Sequence, residues 1–383
     1  MNTDTAIPLF KNYITPEDCE TIESVIKRRM GWANGPEIEK FEAHLAEVVG
    51  TKYGVAFNSG TSALHCVLES IGVKDKEVIV PSFSFISSAN AIIMAGGVPV
   101  FVDIENRTFG MDAYDLKQKI TPKTAAIIVV HYAGHCVGDI REIMDIAEEH
   151  GIPVIEDAAE ALGSTFHGLP VGSIGLASIV SFAPTKVIST GEGGAAFTNS
   201  KEIHDKLKLL RSHGREETQD YFTTIDYMDY ISMGYNFRMP TICAALGLSQ
   251  LGRLKEHIEY RRKISTLYKD ALIGVPDINL PTEIEGILHT YQMYTITIPA
   301  GHEKRDALQK YLKKKGVSTK VYFKPIHKTH YYKNILGYDI ELPQTERLSD
   351  TVLTLPIYPD LTKKQVLYIS KLIKTFFKVT GES

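Results

Sequence analysis

The feature that most constrains the fold is a series of short apolar runs, rich in β-branched residues, in the first half of the chain. Most of them lack polar alternation, which predicts strands buried on both faces, as in a parallel sheet. Helical segments separate the first four runs, favouring an α/β doubly wound core. A glycine-rich loop separates the last two, which predicts sheet neighbours of mixed direction. The runs are EVIVP (77–81), PVFVDI (99–104), AAIIVVH (125–131), PVIEDAA (153–159), ASIVSF (177–182) and GAAFTN (194–199).

The pattern changes near residue 240, where a long helical stretch, 242–272, leaves the strand-rich part of the chain. The segment HTYQMYTITIP (289–299) follows it, and then two more helical patterns, at 303–315 and 362–378. A chain of 383 residues is long enough for two or three domains. We predict a large domain over residues 1–250 and a smaller C-terminal α+β domain over residues 251–383, with the boundary inside a helix.

Charge and composition exclude several classes of protein. The net charge is −4, and the closest candidate for a basic arm is the short run 313–315, so nucleic acid is a poor candidate partner. The four cysteines form no C-x-x-C pair, which favours a reducing compartment. No secretory signal pattern is evident, nor an apolar run of the roughly 18 residues that a membrane span needs. These features predict a cytoplasmic protein with no membrane partner.

Two histidine pairs have a spacing that could hold a metal on a helix. His131 and His135 stand four positions apart, and His327 and His330 three. His131 ends a predicted strand, and no acidic or thiol partner completes either set in the sequence. We therefore predict no metal site.

The segment SFAPTKVISTGEGG (181–194) carries a lysine, Lys186, between a buried-looking strand and a glycine-rich loop. Lysines are usually solvated, and a surface role is the simplest interpretation of any one of them. A partly desolvated lysine at the end of a strand can instead be an amine nucleophile, because burial favours the neutral amine. The glycines around it permit a close approach of the backbone.

The segment VIEDAAEALG (154–163) places Asp157 at the carboxyl end of an apolar strand. Ligands of open α/β sheets bind outside such strand ends, where an aspartate can hold a cationic ring nitrogen. Taken alone, the segment favours a helix N-cap at Asp157, because an alanine-rich helical turn is expected to follow.

The segment NSGTSALH (58–65) follows a short predicted strand, 53–57, and opens a helix. Free backbone N–H groups and the helix dipole make such a turn a candidate phosphate site. The alternative is an ordinary N-cap by Ser59 or Thr61. Neither a P-loop nor a G-x-G-x-x-G fingerprint is present, which counts against a nucleotide-binding oxidoreductase.

The three segments together are more specific than any one of them. An anion-binding turn, the aromatic-rich PSFSF (81–85), a strand-end aspartate and a lysine are what pyridoxal 5′-phosphate requires. The cofactor needs an amine for its Schiff base, an acid at its pyridine nitrogen and a cradle for its phosphate.

Along nearly its whole length the chain resembles the DegT/DnrJ/EryC1/StrS family of nucleotide-sugar aminotransferases, which depend on pyridoxal phosphate and have the fold-type I architecture. The resemblance implies an α/β fold with a mostly parallel mixed sheet in the large domain. The motifs that carry it are FNSGTSALH, EVIVPSFSFISSANAI, PVFVDI, VIEDAAEALGS, SF-x3-K-x3-TGEGG and GYNFRM-x3-CAALGLSQL.

The resemblance implies a role for each matching residue. Lys186 corresponds to the Schiff-base lysine, Asp157 to the partner of the pyridine nitrogen, and Phe85 to the aromatic residue that stacks on the ring, whereas Phe83 is expected in the core. The implied phosphate contacts are Gly60, Thr61, Ser62 and Ser181, and Glu160 is expected near the cofactor. Asn236 and Arg238 match a loop that enters the partner subunit's site, which implies a homodimer with shared active sites. Phe323 and His327 match the substrate side, and a structural role is the alternative for a lone histidine such as His327.

The implied function is the transfer of an amino group from glutamate to a nucleotide-linked keto-sugar. A 4-keto-6-deoxyhexose aminated at C4 is expected, as in perosamine-synthase-like members, and amination at C3 is the alternative. A lysine at position 186 favours transamination over the dehydration catalysed by family members that have histidine there. A non-catalytic protein that binds the cofactor or senses sugars on the same fold is the alternative from another class. Segments 215–233 and 320–332 are expected to help form the sugar pocket, with core packing as the equal alternative for their aromatic residues.

Overall fold

The computed structural model describes residues 6–216 and 224–381, and its elements follow the predicted order. The helices are α1 (Pro16–Arg28), α2 (Pro36–Val49), α3 (Gly60–Ile71), α4 (Ser87–Met94), α5 (Ala113–Lys119), α6 (Ile140–Glu149), α7 (Lys201–Arg211), α8 (Thr241–Gly252), α9 (Leu254–Leu272), α10 (His302–Lys314), α11 (Pro343–Thr351) and α12 (Lys363–Gly381). The strands are β1 (Tyr53–Phe57), β2 (Glu77–Pro81), β3 (Val98–Val102), β4 (Thr124–Val130), β5 (Val154–Asp157), β6 (Thr165–Phe166), β7 (Leu169–Pro170), β8 (Ala177–Ser181), β9 (Gly194–Thr198), β10 (Ile287–Leu288), β11 (Tyr294–Thr297) and β12 (Val352–Leu355).

The main sheet has seven strands in the order β1-β9-β8-β5-β4-β2-β3. Strands β3, β2, β4, β5 and β8 pair in parallel, whereas β9 runs antiparallel to both β1 and β8. Both faces are buried: Ile79 packs into one apolar cluster, and Val78 and Val80 pack into another. The predicted α/β class, with a mostly parallel mixed sheet, is confirmed.

The long helical stretch predicted over 242–272 is two helices, α8 and α9, which meet at Arg253. The guanidinium of Arg253 donates to both carboxylate oxygens of Asp18 on α1, at 2.8 and 2.7 Å. This ion pair ties the junction between the two helices to α1. The predicted bend is therefore a break in the helix.

A third apolar cluster lies in the C-terminal part of the chain, where β11 and β12 form a two-stranded antiparallel sheet. Tyr268 of α9, Leu308 of α10 and Ile369 of α12 are buried in it. Ile7 belongs to the same cluster, and its backbone bonds to Gly316 and Ser318 at 2.8 and 2.9 Å. The domain boundary near residue 250 stays a prediction.

The topology brings functional residues to one edge of the main sheet. Strands β4, β5 and β8 are parallel neighbours, so their carboxyl ends meet there. Asp157 ends β5 and Ser181 ends β8. No helix in the described part of the chain is both long enough and apolar enough to cross a bilayer.

Candidate active site

A cavity of about 520 Å³ lies at this edge of the sheet. Its wall includes residues from strand ends, from the start of α3 and from segments 320–323 and 354–357. The structure thus brings together most of the predicted site residues, which come from distant parts of the sequence. Those that line the cavity are Gly60, Thr61, Phe85, Asp157, Glu160, Ser181, Lys186 and Phe323.

The start of α3 forms one end of the cavity. Ser59 caps the helix: its Oγ accepts a hydrogen bond from the backbone N–H of Ser62 at 3.1 Å. The amides of Gly60 and Thr61 belong to the first turn, which no helical carbonyl can satisfy, so they are available to an anion. Gly60 also lies close to the end of β8, because a Cβ at this position would stand 3.1 Å from Cβ of Ser181.

The Ser62 side chain bonds to other residues of the turn. Its hydroxyl donates to Oδ1 of Asn58 at 2.8 Å, and its Oγ lies 2.8 Å from Oγ of Ser59. Ser62 is not among the described residues that line the cavity. The capping interpretation of Ser59 is confirmed, and it is compatible with anion binding because the cap occupies only one of the first-turn amides.

Asp157 is buried, and both of its oxygens accept hydrogen bonds. Oδ2 accepts from Oγ of Ser88 at 2.7 Å, and Oδ1 accepts from the backbone N–H of Ala159 at 3.2 Å. No helix begins after it, because residues 158–163 form turns. The expectation of a capped helical turn at Asp157 is therefore wrong, and the carboxylate remains directed at the strand-end cavity that it lines.

Lys186 and Glu160 form an ion pair in the cavity wall. Nζ of Lys186 lies 3.4 Å from Oε1 of Glu160, and the side chains are only 15% and 12% exposed. Oε2 of Glu160 accepts a hydrogen bond from the backbone N–H of Ala133, in the loop after β4, at 2.9 Å. The amine is thus held in a partly desolvated position by a carboxylate that is itself anchored to the backbone.

Aromatic side chains form another part of the wall. Phe85 is 59% exposed and faces the cavity, and its ring centroid lies 6.3 Å from that of Phe323. Phe83, expected in the core, is fully buried and packs against Tyr132. The exposed ring of Phe85 can therefore cover the face of a planar ligand.

Asn236, Arg238 and His327 are not among the described residues that line the cavity. Asn236 forms a backbone bridge with Ser212, and Nη1 of Arg238 donates to Oγ of Ser212 at 3.1 Å. His327 is fully buried: its Nδ1 lies 2.7 Å from Oγ of Ser82, and its Nε2 lies 3.2 Å from Oε1 of Glu346. Burial lowers the pKa of His327. Its contacts hold the segment that carries Phe323, so we assign it no direct contact with substrate.

His131 and His135 have structural partners. Nε2 of His131 lies 3.1 Å from Oε2 of Glu156, an acidic neighbour that the sequence interpretation did not find. Nδ1 of His135 donates to the carbonyl of Cys136 at 2.6 Å. The described residues contain no group of three or more His, Cys, Asp or Glu side chains placed to hold a metal.

Several cavity residues escaped the sequence analysis. Gln292 is buried and its Nε2 donates to the carbonyl of Thr185, next to Lys186, at 2.6 Å. Lys320 and Tyr322, by contrast, line the cavity within the segment 320–332 that was expected to help form the pocket. Leu9 and Phe10 contribute from the start of the chain, with no signal in the sequence. In the predicted segment 215–233, residues 217–223 lie outside the described residues.

Known proteins share this architecture. The sequence matches the DegT/DnrJ/EryC1/StrS aminotransferase family over residues 12–374. It is 35% identical to a GDP-perosamine synthase of Escherichia coli O157:H7 over 372 residues, which cover 97% of this chain and 98% of the relative.

Solved structures agree. PseC of Helicobacter pylori, an aminotransferase involved in the biosynthesis of pseudoaminic acid, has a TM-score of 0.90 at 28% identity, with 98% of this chain and 99% of that chain covered. Spr1654 of Streptococcus pneumoniae, in its PMP form, has a TM-score of 0.91 at 29% identity, with 99% and 100% covered. The chain therefore belongs to the DegT/DnrJ/EryC1/StrS family and is a sugar aminotransferase of fold type I.

Proposed function

We propose that the cavity holds pyridoxal 5′-phosphate and that the protein transfers an amino group from glutamate to a nucleotide-linked keto-sugar. The observation that carries the proposal is that Lys186, Asp157 and the first-turn amides of α3 line one cavity. They supply the three groups that the cofactor needs: an amine, an acid and an anion cradle. A volume of about 520 Å³ lies within the roughly 300–1,000 Å³ typical of ligand sites.

The proposed roles follow from these positions. The amides of Gly60 and Thr61, with the hydroxyl of Ser181, bind the phosphate. The Asp157 carboxylate holds a proton on the ring nitrogen, and Phe85 covers one face of the ring. When bound, the cofactor supplies an electrophilic carbonyl carbon and a cationic ring that withdraws electrons.

Lys186 is the proposed acid–base group. Its Nζ would take the proton from the α-carbon of the amino donor and give it to C4′ of the cofactor. This is general acid–base catalysis by one positioned amine. Glu160 holds this amine near the reacting atoms, because its carboxylate is fixed by the backbone N–H of Ala133. The buried position of the pair limits competition from water.

For the acceptor, we propose a 4-keto-6-deoxyhexose on a nucleoside diphosphate, aminated at C4, with C3 as the alternative. The similarity to GDP-perosamine synthases supports this choice. The ammonium of Lys320, which lies 5.3 Å from the centre of the Tyr322 ring, places a positive charge in the wall for a phosphate-bearing substrate. Such a substrate is consistent with the proposed cytoplasmic location.

We also propose a homodimer in which Asn236 and Arg238 reach the partner's cavity. Large apolar side chains are exposed outside the cavity, among them Met30, Trp32, Tyr227 and Met233. Contiguous exposed apolar patches mark surfaces that contact another protein, and in the proposed dimer the partner covers these side chains.

The Lys186→Ala variant tests the core of the proposal. The parent protein should bind the cofactor with a visible absorbance band that glutamate shifts. The variant should lose the covalent attachment and all measurable turnover. Lys201→Ala is a matched control, since Lys201 pairs with Asp205 on the exposed face of α7. Undiminished turnover in Lys186→Ala would contradict the proposal.

A panel of nucleotide-linked keto-sugars tests the acceptor. Each is incubated with glutamate and the protein, and NMR of the product identifies the aminated carbon. Amination at C4 of a 6-deoxyhexose supports the proposal, and amination at C3 selects the alternative.

A further inference from the structure

A chain of two serine hydroxyls ends on the Asp157 carboxylate. Oγ of Ser88 donates to Oδ2 of Asp157 at 2.7 Å, and Oγ of Ser84 lies 2.7 Å from Oγ of Ser88. Ser88 is fully buried, and Ser84 is nearly so at the point where it lines the cavity. These two hydrogen bonds therefore connect the cavity wall, through a buried hydroxyl, to the Asp157 carboxylate.

The direction of these hydrogen bonds follows from the chemistry of the groups. A carboxylate oxygen can only accept, so the single hydroxyl proton of Ser88 is committed to Asp157. The hydroxyl of Ser84 must then donate to the oxygen of Ser88. Both O–H dipoles point toward the carboxylate, and successive hydrogen bonds of this kind polarise and strengthen one another.

Ser88 also fixes the aromatic residue of the site. Its backbone N–H donates to the carbonyl of Phe85 at 3.1 Å, at the start of α4. One residue thus connects the turn that presents Phe85 to the carboxylate at the end of β5. With the N–H of Ala159 on Oδ1, two donors approach Asp157 and fix the plane of its carboxyl group.

We propose that Ser88, oriented by Ser84, is a positioning residue that keeps the Asp157 carboxylate aligned, so that it holds a proton on the cofactor's ring nitrogen. Without the Ser88 hydroxyl, Oδ2 of Asp157 would lose the buried donor that fixes its orientation, and a buried acceptor without a partner is costly. The inference rests on the proposed function in one respect: the ligand at Asp157 has a basic ring nitrogen.

The test uses the full-length protein with pyridoxal phosphate labelled with ¹⁵N in the ring. The Ser88→Ala variant should move the ¹⁵N resonance at neutral pH toward the position of the unprotonated ring. The dissociation constant of the cofactor should rise about tenfold, since hydrogen bonds to charged groups are among the stronger ones. Ser84→Ala keeps the bond from Ser88 and should produce smaller changes in the same direction.

Ser370→Ala is the matched control. Ser370 is a buried serine of α12, and its hydroxyl donates to the carbonyl of Val366 at 2.8 Å, in the C-terminal cluster. This variant should leave both the resonance and the dissociation constant at the parent's values.

The outcomes separate this inference from the proposed function. If the parent protein does not bind the cofactor, the proposed function fails, and the inference fails with it. If the parent binds it and Ser88→Ala leaves the ¹⁵N resonance unchanged, the inference alone is wrong. Should Ser88→Ala not fold, Ser84→Ala decides: a shift toward the unprotonated ring supports the inference, and an unchanged resonance overturns it.

Discussion

Nζ of Lys186 lies 3.4 Å from Oε1 of Glu160, whose other oxygen accepts a hydrogen bond from the backbone of Ala133. The site therefore has a fixed carboxylate beside its amine in addition to Asp157. Because Glu160 is anchored, it can hold the ammonium form of Lys186 in one place whenever the amine is released.

The Glu160→Gln variant keeps the shape of this contact and removes its charge. We expect the cofactor to remain bound and turnover to fall about 10- to 100-fold, the range for a hydrogen bond to a charged group. Steady-state kcat over a pH series measures the effect. Glu202→Gln is the control, because Glu202 bonds to Lys206 at 2.8 Å on an exposed helix face. Equal kcat values in the two variants would contradict the role given to Glu160.

Replacing Asp157 with asparagine removes the negative charge at the end of β5. We expect turnover to fall at least about 100-fold, since a preorganised charge in a buried site is a large contribution to catalysis. Single-turnover kinetics of the half-reaction with glutamate isolate this step from sugar binding. A variant that reacts at the parent's rate would exclude the proposed pairing with the ring nitrogen.

A methyl group at position 60 should weaken phosphate binding. The Cβ of Gly60→Ala would stand 3.1 Å from Cβ of Ser181, so the strand end or the helix must shift by a few tenths of an ångström. We expect the cofactor dissociation constant to rise about tenfold, because the shift moves the backbone amides of residues 60 and 61 away from their positions around the phosphate. At Gly252, nothing lies within 4 Å of an added Cβ, so Gly252→Ala should bind like the parent. Fluorescence titration of the apoprotein compares them.

Stability should fall in mild acid because histidines are buried without an acidic partner. Burial, with the charges of Arg261 and Arg253, lowers the pKa of His257 to about 4. The unfolded chain binds this proton near pH 6.5. Neutral, buried His257 therefore contributes to the free energy of unfolding above pH 6.5, and this contribution is lost as the pH falls toward 4. Within that range the group lowers the free energy of unfolding by about 1.4 kcal/mol for each pH unit. Urea unfolding at several pH values measures the free energy of unfolding. Its dependence on pH should be weaker for His257→Gln than for the parent, and an unchanged dependence would contradict the low pKa given to His257.

Shared active sites can be tested by mixing two inactive variants. If Lys186 acts in one chain and Arg238 in the other, a mixed dimer of Lys186→Ala and Arg238→Ala has one site with both defects and one with neither. Random exchange of subunits should then restore about a quarter of the parent's activity. Recovery should be absent when each variant is assayed alone. No recovery after verified exchange would favour sites confined to single chains.

Much of the fold and the central pair of residues could be predicted from the sequence. Asp157 and Lys186 follow apolar runs long enough to be strands buried on both faces, and parallel strands bring their carboxyl ends together. The glycines of the NSG and GEGG segments likewise mark places where backbones approach each other, as Gly60 and Ser181 do.

Contacts between distant segments could not be predicted. Ser88 bonds to Asp157 across 69 positions, and Gln292 to Thr185 across 107. No local sequence pattern marks a buried serine within a helix, or a glutamine before a strand, as a residue of the site. In place of the helical turn expected after Asp157, the chain forms separate turns at residues 159–160 and 162–163. The family motif matches His327 to the substrate side, whereas tertiary packing places its Nδ1 2.7 Å from Oγ of Ser82.

The strand-like pairing of Ile7 with Gly316 and Ser318, and the hydrogen bond from Ile357 to the carbonyl of Leu9 at 3.3 Å, have a consequence for biosynthesis. Leu9 and Phe10 leave the ribosome well before residues 354–357, yet they can take their places in the cavity wall only after the residues near position 357 have emerged. The binding site therefore closes only after position 357 has been translated, and a nascent chain that stops short of this point has a sheet without a finished pocket.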